Sequence, residues 1–140
     1  MSFREKSAWI TVATILLVSL IVAAAVPRPW SLTPAPSRMI FYVLHQAVVA
    51  FVVIEIVAHV AVAVWAPRDA KAPFDERDRM IALKARSLAF YVFTVLALGS
   101  VLLIHLGANG IGVGYSVLVS FVLAQAVNYA ARIFYYRRGV

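Results

Sequence analysis

Four long apolar runs, separated by short polar segments, dominate the chain: residues 8–26, 39–65, 87–106 and 111–131. A helix rises ~1.5 Å per residue and the hydrocarbon core of a bilayer is ~30 Å thick, so ~20 apolar residues cross it. Each run is long enough. The pattern predicts an all-α integral membrane bundle of four transmembrane helices, forming a single domain over residues 1–140. The second run exceeds a perpendicular crossing and is expected to tilt or protrude.

Composition supports this reading. The 140 residues are 64% hydrophobic and 14% charged, against about 45–50% and about 25% in a soluble domain. The mean hydropathy is +0.90. A core of this size would not hide so much apolar surface from water. There is no cysteine, which excludes disulfides, thiolate metal sites and cysteine nucleophiles. The first run imitates a secretory leader, with a basic start and the small residues Ala23, Ala24 and Ala25. Its apolar stretch is longer than a usual leader core and Pro27 follows closely, so it is read as a retained span.

The segments between the runs differ in chemistry. VPRPWSLTPAPSR, after the first run, holds four prolines and predicts an extended connection. LGANGIG, between the third and fourth, predicts a tight glycine-marked turn and an antiparallel hairpin. The segment over residues 66–86 is the strongly charged one.

Net charge is +7, and its placement matters more than its sum. Arg4, Lys6, Arg68, Lys71, Arg77, Arg79, Lys84, Arg86, Arg132, Arg137 and Arg138 would share one side of the membrane, and Arg28 and Arg38 the other. Eleven against two predicts cytoplasmic N- and C-termini and a cytoplasmic 66–86 segment. Trp9, Trp65, Tyr129, Tyr135 and Tyr136 would then form the inner aromatic belt, opposite Trp30, Tyr42 and Tyr115.

Within the charged segment, PFDERDRMIALKAR reads as a helix start. Asp75 is a good N-cap, and Glu76 and Asp78 place negative charge in the first turn, where the helix dipole favours it. Asp75 and Arg79 are spaced for an i,i+4 pair, and the helix is expected to run from Asp75 without interruption into the third span. Asp75, Glu76, Arg77, Asp78, Arg79, Lys84 and Arg86 form a candidate surface for anionic lipid head groups or a cytoplasmic partner.

FREKSAW at the start, EIVAHV in the second run and PFDERDRMIALKAR before the third make the chain resemble a family of small bacterial integral membrane proteins with a DERD-type cytoplasmic loop. The family is functionally uncharacterised. The resemblance implies four helices in a bacterial inner membrane, and it supplies no activity and no catalytic residues.

Ionisable residues inside the runs are the candidate chemistry, because they are costly there. At ~100° per residue, His45, Glu55 and His59 share an arc of roughly 80° on the second helix, which is expected to face protein. Depth sorts the polar residues into an outer His45/His105 layer and an inner layer of Glu55, His59, Gln125 and Asn128. The inner layer is expected to link the second helix to the fourth, with Glu55 either protonated or hydrogen-bonded to His59 one turn away.

No nucleophile elbow, HExxH or Walker loop is present, and GIGVG at Gly110 follows no strand, so an enzyme is not expected. Gly110 and Gly114, and Gly99 in the third run, instead have the character of close-approach positions. RIFYYRRGV suits snorkelling at the membrane face rather than nucleic acid. The leading reading is a non-enzymatic accessory subunit or membrane anchor without a cofactor, acting through helix contacts or its charged loop, as a homo-oligomer or within a larger membrane complex. The alternatives are a small proton-coupled transporter using Glu55, or a b-type haem or metal protein using His45 and His105.

Overall fold

The computed structural model describes residues 3–25, 37–65, 67, 75–108 and 110–138. They form α1 (Phe3–Ala25), α2 (Ser37–Trp65), α3 (Glu76–Leu102), a 3-10 turn (Leu103–Leu106) and α4 (Gly110–Arg138). Among the described residues there is no strand. All four helices are long and apolar enough to cross a membrane. The chain divides into two compact units, Met1–Lys71 and Ala72–Val140, the first holding α1 and α2 and the second α3 and α4. The run pattern, which leads to one domain over residues 1–140, does not distinguish one bundle from two helix pairs.

The helices outlast the apolar runs. α1 starts five residues before the run it contains, and α4 continues to Arg138, seven residues past residue 131. Arg, Lys, Glu and Ala are good helix formers, so a helix need not stop where its apolar stretch stops. In lipid, a helix also satisfies its backbone groups within itself.

The start of α3 is a capping box. The Asp78 N–H donates to Asp75 Oδ1 at 2.7 Å, and the Asp75 N–H donates back to Asp78 Oδ2 at 3.4 Å. Asp75 is extended (φ −86°, ψ 168°), as an N-cap must be. From there α3 runs unbroken to Leu102, as the charged segment implies. Asp75 and Arg79 are joined through the backbone, Arg79 N–H donating to the Asp75 carbonyl at 3.1 Å.

The second unit is an antiparallel hairpin about Gly107. Gly107 has φ +84°, the left-handed region that glycine enters without steric cost. Its N–H donates to the Ile104 carbonyl and that of Ala108 to the Leu103 carbonyl, both at 3.0 Å. This paired closure is a Schellman motif. Two pairings across the hairpin share its centre. Asp78 meets Tyr136, and Phe93 meets Phe121 edge-to-face at 6.2 Å, each pair symmetric about residue 107.

Small residues line the helix faces of this unit. Ala85 and Ala89 are buried on α3, Ala124 on α4, and buried Ser100 lies 3.2 Å from Ser120 through their hydroxyls. Gly99, Gly110 and Gly114 do not serve as close-approach positions: a Cβ built on any of them meets nothing within 4 Å. Close approach depends on which residues the helix rotation turns inward, and here these are alanines and serines.

The first unit pairs α1 and α2 antiparallel. Ser7 meets His59 and Thr11 meets Glu55, so one helix advances a turn as the other retreats one. Ala8, Thr11, Thr14 and Ile15 are buried on α1. On α2, Val48, Val52, Ile56 and Val60 are exposed, as suits a helix facing acyl chains.

Candidate functional site

Four polar side chains of α1 and α2 form one cluster. His59 is oriented by its own helix: Nδ1 lies 2.8 Å from the Glu55 carbonyl oxygen. A carbonyl only accepts, so Nδ1 carries the proton. Nε2 lies 2.7 Å from the Ser7 hydroxyl, which donates to it when the imidazole is neutral. One turn further along, the Thr11 hydroxyl donates to Glu55 Oε2 at 2.8 Å. Thr11 Oγ1 also lies 3.3 Å from the Ser7 carbonyl.

Glu55 and His59 are largely enclosed, their side chains retaining 17% and 34% of their exposure. Their direct approach, Nδ1 to Oε2, is 3.4 Å. Glu55 Oε1 is buried and accepts no hydrogen bond. Thr11 is 3% exposed, so its hydroxyl is spent inside the cluster. The expected Glu55–His59 association is present, but its short side-chain bonds run to α1.

Ser7 and Thr11 are absent from the sequence-based site. Ser7 precedes the first apolar run, and only the earlier start of α1 makes it helical. A signal was nonetheless available. Ser7, Thr11 and Thr14 share an arc of about 60° on a helix, a hydroxyl stripe whose i,i+4 spacing matches that of Glu55 and His59. Gln125 and Asn128, grouped with them by depth, belong to the second unit and to α4. There Gln125 is half-buried, and Asn128 is buried with its Oδ1 unpaired. Arg132, one turn on, lays its guanidinium over the Tyr129 ring at 4.9 Å.

The charged start of α3 forms a second cluster. Asp75, Glu76, Arg77, Arg79, Lys84 and Arg86 are exposed. Asp78 departs from the surface role expected of it: it is buried, and its Oδ1 accepts from the Tyr136 hydroxyl at 2.8 Å. Arg77 reaches the Tyr136 carbonyl at 3.4 Å. These bonds tie the first turn of α3 to the last turns of α4.

His45 is exposed on α2 and stacks on Phe41, with centroids 6.1 Å apart. His105 is exposed in the 3-10 turn of the other unit. Among the described residues, no group of three or more His, Cys, Asp or Glu side chains is placed to hold a metal ion.

Fold and composition together define a multi-pass, all-α membrane protein with four helices suited to crossing a bilayer. No protein-family model, no curated protein and no solved structure matches the chain.

Proposed function

We propose that this chain is a non-enzymatic protein of a bacterial inner membrane, with both ends and the 66–86 segment in the cytoplasm, serving as an accessory subunit or membrane anchor. The observation that carries the reading is the fixed, charged start of α3. The capping box and the Asp78–Tyr136 bond hold its first turns, while Asp75, Glu76, Arg77, Arg79, Lys84 and Arg86 remain exposed. A charged helical surface held this way loses little conformational freedom on docking, and its basic residues favour anionic head groups by about 1 kcal/mol each.

Charge and hairpin geometry together support this orientation. The Asp78–Tyr136 bond gathers Arg77 and Arg79 with Arg137 and Arg138 at one end of the second unit. Basic residues are retained in the cytoplasm, so that end is the cytoplasmic one.

Native mass spectrometry from mild detergent tests the docking role. The wild type is expected to carry a second protein, identified by its mass, in a fixed ratio. The double variant Glu76→Lys/Arg79→Glu is expected to lose it and keep its helical circular dichroism. A wild-type spectrum containing this chain alone overturns the reading.

A further inference from the structure

The geometry points to the Ser7–Thr11–Glu55–His59 cluster as a reversible proton-binding site, in which the Thr11 and Ser7 hydroxyls reverse their hydrogen bonds as Glu55 and His59 gain or lose a proton. This stands apart from the contact role above and does not depend on it.

The argument rests on the kind of partner each ionisable group has. A carboxylate held as a permanent anion is surrounded by obligate donors such as backbone N–H or guanidinium groups. The short bond to Glu55 comes instead from a hydroxyl, Thr11 Oγ1 at 2.8 Å from Oε2. The His59 Nδ1–H is committed to the Glu55 carbonyl at 2.8 Å and stands 3.4 Å from Oε2. A hydroxyl both donates and accepts.

Thr11 has an acceptor for each state. With Glu55 ionised, its O–H points to Oε2. When a proton from bulk water binds Oε2, the new Glu55 O–H donates to Thr11 Oγ1. The Thr11 O–H then rotates to the Ser7 carbonyl, 3.3 Å away. The carboxyl goes from a charge of −1 to neutral, and no heavy atom needs to move. His59 behaves alike. Neutral, its Nε2 accepts from Ser7; protonated, Nε2–H donates to the same oxygen at the same 2.7 Å separation. Nδ1–H stays on the Glu55 carbonyl in both states.

The charged groups of α1 are Arg4, Glu5 and Lys6, all in its first turn, with Arg4 one turn before Ser7. On α2 the other ionisable groups are Arg38, Tyr42 and His45, seventeen, thirteen and ten residues before Glu55. The proton is therefore held between Glu55, His59 and two hydroxyls.

Infrared difference spectroscopy on the full chain in lipid nanodiscs tests this. The expected wild-type result is a protonated-carboxyl carbonyl band that grows and fades reversibly with pH and is lost in Glu55→Gln. In Thr11→Val the band is expected at higher frequency, because the acid O–H loses its acceptor; Thr11→Ser restores its position. Should Glu55→Gln fail to fold, the Glu5→Gln/Glu76→Gln variant with 13C-labelled glutamate carboxyls leaves Glu55 as the sole glutamate, and its isotope-shifted band reports the same event. No pH-dependent Glu55 band overturns the proton site. A Glu55 band of equal frequency in the wild type and Thr11→Val overturns the hydroxyl reversal.

Discussion

Asp78 has two roles within one carboxylate. Oδ2 completes the capping box of α3, and Oδ1 accepts from the Tyr136 hydroxyl fifty-eight residues away. Tyr136→Phe keeps the ring and removes this hydroxyl donor to a buried carboxylate. The expected cost is about 1–3 kcal/mol, read as a lower midpoint of thermal unfolding in detergent; an unchanged midpoint would show the bond to be energetically silent. Asp75 as a cap is legible in the sequence, because a cap is decided by a few neighbouring residues. The Tyr136 bond is not. On sequence alone Tyr136 belongs to the aromatic belt and Asp78 to a solvated charged segment, and only the pairing of two helices turns them toward each other.

At the scale of elements, the α3–α4 hairpin shows that a glycine's role depends on its φ and surroundings. Gly107 sits at φ +84°, so Gly107→Ala places a Cβ in a conformation costing roughly 1–2 kcal/mol. Gly114 is helical with open space where a Cβ would stand, so Gly114→Ala should stabilise α4 by about 0.5–1 kcal/mol. Thermal unfolding of the two variants should move in opposite directions. If both destabilise equally, Gly114 has a contact beyond this chain. The hairpin and its tight turn are readable from LGANGIG, since a short glycine-bearing link between two apolar runs leaves little but an antiparallel return. The rotation of the helices about their axes is not readable. The GxxxG spacing at Gly110 and Gly114 suggested one face, and Ala85, Ala89, Ser100, Ser120 and Ala124 form the real one. Small residues occur on several faces, and the choice is made by side-chain fit summed along both helices.

At the scale of the whole molecule, each helix pair brings chain segments distant in sequence to one end. Arg77 and Arg79 join Arg137 and Arg138 in the second unit, while in the first the Ser7–His59 bond sets the start of α1 beside the last turns of α2. The absence of cysteine makes topology directly measurable. A cysteine replacing Lys84 should react with an impermeant thiol reagent only in inverted vesicles, and one replacing Asn109 only in intact cells. Labelling in the reverse pattern would invert the proposed orientation and remove the docking segment from the cytoplasm.

What the sequence by itself determined is what neighbouring residues decide: four helices from the length of the apolar runs, the capped start of α3 from Asp75, and a turn at the glycines after Leu106. These are local free energies, and they add along the chain. Tertiary structure alone decided that Ser7 and Thr11, rather than a neighbouring imidazole, supply the short side-chain bonds to His59 and Glu55, and that Asp78 is spent on Tyr136. Those pairings depend on the rotation and register of one helix against another. That geometry is set by the packing of two whole faces, and no short stretch of sequence records it.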